Sequence, residues 1–443
     1  MDLTEGNVGK KVILFSLPLL GSLLLQYLFH TADMAVVGRY STHQALAAVG
    51  ATSPLISLLL NLLVGISMGT CVVCANAFGA GDRRLLDRVI HTSMLFSLVA
   101  GFLLGAAGYL WTEPLLRWMD TPEDVMAGAK AYMQIFFVGM PFLQVYNFGA
   151  ALLRGVGDTR RPFYYLVVSG ILNVVLNLFF VICMNMAVEG VAIATVISEG
   201  LSAILVWIAL KNTGDGICLE WRKLSIHRGI LAKILVIGVP AGIQGACFSF
   251  SNVVIQTAIN SFGSLGVAGC TAGLIWEELA WTASYGFNQV ATSFVGQNLG
   301  AGKWDRIRQS IWWCVFLGSL SPALMGLVFF LFARPLLEMF LSSPDAIPWG
   351  YERMQIVLTT YAILGAMDAV SGSIRGLGRT VAITVIMLLG VCGLRVLWVH
   401  TVFPLKPTVT VLFTVYPISW AAALIPMAFY LYYLMKKKPR LTL

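Results

Sequence analysis

Apolar residues run through this chain in long blocks, separated by short polar or Gly/Pro-rich breaks. A helix that crosses the ~30 Å hydrocarbon core of a bilayer needs about 20 predominantly apolar residues. Twelve blocks meet that length, at 11–38, 52–78, 90–111, 130–153, 162–185, 188–210, 231–260, 266–298, 309–333, 353–374, 381–403 and 408–435. The pattern predicts an all-α membrane protein with twelve transmembrane helices. Several blocks exceed 25 residues, so tilt or kinks are expected, with Pro18, Pro54, Pro141, Pro240 and Pro417 as kink positions. The connections are short except for 211–230, KNTGDGICLEWRKLSIHRGI, a polar linker near the middle of the chain.

The chain also repeats itself. Arg154-Gly155-Val156-Gly157-Asp158-Thr159 returns as Arg375-Gly376-Leu377-Gly378-Arg379-Thr380, and Gly79-Ala80-Gly81-Asp82 returns as Gly300-Ala301-Gly302-Lys303. Pro114-Leu115-Leu116, Met133-Gln134-Ile135 and Ile197-Ser198 return at the same offset of 221 residues, half the chain. Each repeat holds six spans, an even number, so the second half enters the membrane in the same direction as the first. Two six-helix bundles are expected, at 1–221 and 222–443, as parallel repeats around a central cleft. Parallel repeats of this kind are a construction of secondary transporters.

Composition sharpens the picture. Of 443 residues 58% are hydrophobic and 11% charged, against about 25% charged in a soluble domain. The net charge of +8 would point to nucleic acid in a soluble protein; here the basic residues lie in short loops and read as topology signals, so no nucleic-acid partner is expected. Twenty-two Lys and Arg fall on the side that holds both termini and six on the other, with Arg395 inside a span. Short loops rich in Lys and Arg stay cytoplasmic, which puts both termini in the cytoplasm. The first block is too long for a signal-peptide core and contains Asp33, so it is expected to remain on the protein. Seven of the eight cysteines fall in or at the end of apolar runs, and the lone Cys71/Cys74 pair lacks the further ligands of a zinc site. Neither a metal nor an organic cofactor is expected.

The stretches TADMAVVGRY, NAFGAGDRR, LLRGVGDTRRP, GVAIATVISEG, FVGQNLGAGKWDRI, IRGLGRT and VYPISW, in this order over residues 10–435, resemble the multidrug and toxic compound extrusion (MATE) transporters, especially bacterial members. The resemblance implies two six-helix bundles around a cleft, and export of mostly cationic organic compounds driven by inward flow of H+ or Na+. It implies a small-molecule substrate, a lipid-bilayer setting and a transporter in place of an enzyme; a monomer is expected.

Ionisable residues inside spans carry the most information, because each costs about 2.5–3.5 kcal/mol at a helix centre on insertion scales. Asp33 shares one face of the first span with His30 and Gln26. By resemblance, Asp33 matches the acid of the N-terminal bundle that couples ions to transport. The fifth span adds Asn173 and Asn177 on one face at i, i+4, and the sixth adds Thr195, Ser198 and Glu199, so Asn173, Asn177 and Thr195 join Asp33 as ion-coupling candidates. Several relatives carry Asp at the position of Asn177, so the second acid of that pattern is absent here; Glu199 either replaces it or faces the cytoplasmic end of a helix contact. Alternatively, Asp33 lies near the outer surface, satisfied by Arg39 or water. In the second half Glu277 and Glu278 open a stripe with Trp281, Tyr285, Asn288 and Thr292, a carboxylate-and-aromatic face suited to an organic cation. Asp368 occupies the repeat position of Asn147 and resembles the C-bundle acid of some relatives; a salt bridge to Arg395 is the structural alternative. The candidate substrate contacts are therefore His30, Gln26, Asn147, Glu277, Trp281 and Asp368.

Competing classes leave traces that can be checked. A P-loop fails, because Lys303 is followed by Trp304 and position 297 is Gln. An intramembrane metalloprotease expects HExxH or clustered His, whereas the five His are scattered. A lipid-linked saccharide flippase shares the twin-bundle architecture but would carry cationic residues in its cleft, where the in-span charges here read as mainly acidic. A half-chain repeat also suits alternating access better than a continuous channel pore.

Overall fold

Inside a bilayer no water is available to backbone amides, so each must bond within its own helix. In the computed structural model the chain is accordingly helical nearly throughout. The structure describes residues 1–40, 43–119, 121–186, 188–211, 218–341 and 343–438, without the side chains at 30, 35, 37–40, 43–46 and 54. The first half contributes α1 (Val8–Tyr40), α2 (His43–Gly79), α3 (Arg83–Trp118), α4 (Glu123–Gly155), α5 (Arg160–Leu178) and α6 (Val188–Lys211). The second contributes α7 (Arg228–Asn260), α8 (Gly263–Gly300), α9 (Trp304–Leu331), the short α10 (Ala333–Glu338), α11 (Ile347–Leu358), α12 (Tyr361–Gly376), α13 (Thr380–Met387), α14 (Leu394–Thr401) and α15 (Val409–Lys437).

Every expected block is helical. The tenth is carried by α11 and α12, which meet at a 47° bend. A wide π-turn at Phe179–Cys183 extends α5, and another at Leu388–Gly393 joins α13 to α14. Among the described residues ten helices are long and apolar enough to cross a membrane, or eleven with the bent pair. The remaining long helix, α8, spans 38 residues but carries the polar stripe of the second half and falls short on composition. Helices continue through Pro18, Pro141, Pro240 and Pro417, and the 47° break falls instead at residues 359–360, where there is no proline.

The repeated motifs are helix stops. Gly81 and Gly302 close α2 and α8 with φ of +69° and +67°, and Gly157 and Gly378 close α4 and α12 with +89° and +75°. Only glycine adopts this left-handed backbone without strain. At each stop the residue after the glycine donates its amide five residues back, as Asp158 does to Leu153 and Arg379 to Ile374, which satisfies carbonyls that a helix end would leave bare.

The chain falls into two compact units, Leu17–Leu235 with Met1, and Val236–Leu443 with Asp2–Ser16. They part inside α1 and α7, whereas the repeat placed the boundary at 221/222 in the linker. The start of the chain joins the second unit because its carbonyls find donors there. Arg306 reaches the carbonyls of Leu3, Glu5 and Gly6, Lys303 reaches that of Thr4, and the Leu3 amide bonds to Gln297 at 3.0 Å. The described end of the linker docks on the first unit: Trp221 stacks on Trp207 at 4.1 Å, and the Glu220 amide donates to His91.

In the first unit α4 packs against α2, α3 and α6; in the second α8 packs against α9, α11 and α12. Small residues permit the close approach that membrane helices rely on. A Cβ on Gly372 of α12 would stand 2.1 Å from the Asn288 carbonyl oxygen of α8, and one on Gly365 would stand 1.8 Å from that of Gly318 on α9.

Candidate functional site

The first unit gathers its polar residues into one ladder. Asn173 and Asn177 are one turn apart on α5, and both are buried. Asn177 Nδ2 donates to Asp33 Oδ1 on α1 at 2.5 Å and to Asn173 Oδ1 at 3.1 Å. Asn173 Nδ2 in turn reaches Thr195 Oγ1 on α6 at 3.4 Å, and Thr195 donates to the Val191 carbonyl. Asp33, Asn177, Asn173 and Thr195 thus form a continuous chain across three helices. The ladder is incomplete at one atom: Asn177 Oδ1 is buried without a hydrogen-bond partner among the described residues. A buried acceptor left bare costs about 1–3 kcal/mol, and here it lies beside a half-buried carboxylate.

Around this ladder, Glu199 lies one turn beyond Thr195 on the same face of α6 and interacts electrostatically with Asp33. Tyr132 on α4 interacts with both acids. Gln26, on the expected α1 stripe, is exposed and hydrogen-bonds to Tyr146. The side chains of His30 and Arg39 lie outside the described residues. Asn147 is half-buried on α4.

The second unit treats its charges differently. Glu277 is not open to a ligand: Arg353 of α11 grips both its oxygens, Nε to Oε1 at 2.8 Å and Nη2 to Oε2 at 2.9 Å, with both side chains buried. Arg353 also donates to the Cys270 carbonyl and lies 4.6 Å from the Phe413 ring centroid. Glu278 is half-buried beside this pair. Asp368 accepts from Ser284 Oγ at 2.6 Å and from Asn288, whose Oδ1 receives Arg375 Nη1 at 2.7 Å. Asn288 therefore links an acid to a guanidinium whose Nη2 goes on to Gln244 and whose Nε has no partner among the described residues. Arg395, the alternative partner of Asp368, bonds instead to Asn252 at 3.2 Å and Ser419 at 3.4 Å, and stacks over Tyr416 at 4.1 Å. Trp281 is partly exposed and stacked on Tyr285, one turn from Ser284 and Asn288.

The structure thus brings Asp33, Asn173, Asn177 and Thr195 together, and gathers Asp368 with Ser284 and Asn288, while Glu277 is held in a separate pair. The expectation of mainly acidic charge inside the spans fails in the second unit, which buries Arg353, Arg375 and Arg395. Sequence reasoning named neither Arg353 nor Arg375 as a candidate site residue. The available signal was that α8 puts Glu277, Ser284 and Asn288 on one polar stripe, so partners were required on the helices packed against it.

The MatE family model matches this chain twice, at residues 18–179 and 240–399. The protein is a member of the MatE family. One match falls on each repeat, so the family unit is the half-chain that the 221-residue offset marks. Among curated relatives, a probable multidrug resistance protein of Bacillus subtilis, YoeA, is 28% identical over 98% of this chain and 96% of its own. The probable multidrug resistance protein NorM of Thermotoga maritima is 27% identical over 88% and 84%. A transporter of Shewanella oneidensis named for FAD is 24% identical over 87% and 86%. A crystal structure of a MATE transporter in complex with the ligand MaL6 superposes with a TM-score of 0.91 over 99% of both chains at 22% identity. The MatE member described here is a multi-span membrane transporter and not an enzyme.

Proposed function

We propose that this MatE transporter exports organic compounds, mainly cations, in antiport with H+ or Na+ across the plasma membrane, with both termini in the cytoplasm. The observation that carries the reading is the ladder from Asp33 through Asn177 and Asn173 to Thr195. It presents a carboxylate and a bare amide oxygen within the span region and no basic partner among the described residues. Such a group holds a proton or ion in one state and releases it in another, as intramembrane acids of transporters do. Asp368 and the Trp281/Tyr285 pair supply the charge and ring faces that would seat an organic cation. The names of the YoeA and NorM relatives support drug efflux, and the cytoplasmic excess of Lys and Arg supports the orientation. The two units, each spanning one repeat, would be the bodies that move.

Purified protein in proteoliposomes, offered a panel of cationic dyes under a pH gradient and a sodium gradient imposed separately, tests the reading. Dye accumulation against its gradient under one of the two supports it and names the ion; no accumulation under either contradicts it.

A second reading rests on a specific observation. Two buried guanidiniums of the second unit outside the Glu277 pair, Arg375 and Arg395, with the FAD-named relative, favour substrates that carry a negative group. Competition of FAD against a cationic dye in the same proteoliposomes separates the two. The same arginines also remove the charge argument against a saccharide-diphosphate lipid, so such a lipid belongs in the competition panel.

A further inference from the structure

We infer that Glu199 is a second proton-carrying acid of the first unit, so that the transporter moves two protons for each monovalent cation. This deepens the function proposed above and rests on it. Asn177 is neutral, and on the α1–α5 side the ladder therefore has one acid, Asp33. On α6 the ladder does not stop at Thr195. Residues 195 and 199 are one turn apart, so the bond from Asn173 to Thr195 turns the Glu199 face of α6 towards the same chain of groups. The carboxyl lies against α4 at Gly139, whose missing side chain makes room for the neighbouring Val196. A Cβ there would stand 3.5 Å from Glu199 Oε2 and 2.6 Å from Val196.

Among the described residues, the titratable groups that interact with Glu199 are Asp33 from α1 and Tyr132 from α4. No Lys, Arg or His of the described residues neutralises it, unlike Glu277 with Arg353. A half-buried acid inside a span, with no cation partner among the described residues, is tolerated for a functional reason by default. Asp33 ends the amide ladder on α1, and Glu199 lies one turn beyond its last member, Thr195, on α6. Each carboxylate would take one proton on its oxygen from the outer side and surrender it to cytoplasmic water, with no other bond made or broken.

Stoichiometry makes the inference measurable. One proton exchanged for one monovalent cation is electrically silent and sustains about tenfold accumulation per pH unit. Two protons sustain about a hundredfold per pH unit, and the uncompensated charge adds roughly fiftyfold per 100 mV. The test is the steady-state accumulation ratio of ethidium in proteoliposomes of the full chain, at several imposed pH gradients, with the potential clamped at zero and then at 100 mV. Wild type is expected to show the hundredfold slope and a response to potential; Glu199→Gln should fall to the tenfold slope and lose the response, and Glu199→Asp should restore both. A wild type with the tenfold slope and no response overturns the inference while leaving antiport standing, as does a Glu199→Gln protein that keeps the hundredfold slope. A wild type that accumulates no dye under a pH gradient overturns the inference, and with none under a sodium gradient the antiport reading falls too. Because wild type alone decides the slope, a Glu199→Gln protein that fails to fold does not shelter the inference.

Discussion

The two halves share one sequence repeat yet place their charges at different positions of it. Under the 221-residue offset, Thr31, Val174, Thr195, Ser198 and Glu199 of the first unit answer to Asn252, Arg395, Tyr416, Ser419 and Trp420 of the second. The first set holds Thr195 of the ladder and Glu199 beside it; the second holds the Arg395 guanidinium, bound by Asn252 and Ser419 and stacked on the Tyr416 ring. The acids of the first unit keep an open end: among the described residues Asn177 Oδ1 has no hydrogen-bond partner and Asp33 no basic one. Those of the second are closed, Glu277 by Arg353 and Asp368 by Ser284 and Asn288 with Arg375 behind them. An open acid exchanges an ion at low cost, whereas a closed one fixes a charge in place. On the proposed reading the first unit therefore does the coupling, and the second supplies a fixed electrostatic surface and a rigid body.

Breaking the closed pair should have the largest effect on stability. Arg353→Met leaves Glu277 charged and buried without its partner, and removal of one member of such a pair costs about 3–5 kcal/mol. A fall in melting temperature in detergent is expected. The double variant Arg353→Met/Glu277→Leu should recover most of it, because apolar replacement of both members is often neutral. Failure of the double variant to recover would mean that the pair also serves substrate.

A smaller effect is expected at Asp368. Asp368→Asn keeps the hydrogen bond to Ser284 but removes the charge, and should raise the apparent KM for a cationic dye about tenfold, or ~1.4 kcal/mol, at unchanged membrane abundance. Unchanged transport in both Asp368→Asn and Glu277→Gln would assign these acids to packing. The smallest contrast lies at the repeated turns. Asp82 caps α3 by accepting from the Leu85 amide at 2.9 Å, whereas its repeat partner Lys303 reaches the Thr4 carbonyl instead. Asp82→Ala should cost about 1 kcal/mol, read as a modest fall in thermal stability, and Lys303→Ala should act by loosening the start of the chain.

Much of this was legible in the chain, for identifiable reasons. Span positions follow from apolar length, and the half-chain repeat from shared offsets; both are local or periodic signals. The glycine stops were legible too, since a left-handed turn demands glycine whatever surrounds it. The ladder residues could be named because Asn173 and Asn177, like Thr195 and Glu199, lie one turn apart on otherwise apolar helices. What escaped was tertiary: that Arg353 meets Glu277 across 76 residues, or that Arg395 turns to Asn252 and Ser419 and not to Asp368. Both π-turns escaped as well, one directly after Asn177 and Leu178 and one directly before Leu394 and Arg395. Such turns recur at functional sites and carry no strong sequence mark.

The central claim is that the open acid of the first unit couples an ion to export, and Asp33→Asn tests it most directly. The substitution removes the titrating group while leaving an amide that can still bond to Asn177. In proteoliposomes under the driving gradient, the variant is predicted to lose accumulation of a cationic dye against its gradient, at wild-type expression and with dye binding still detectable. If Asp33→Asn protein pumps dye uphill at the wild-type rate, Asp33 is structural and the coupling assigned to the first unit is wrong.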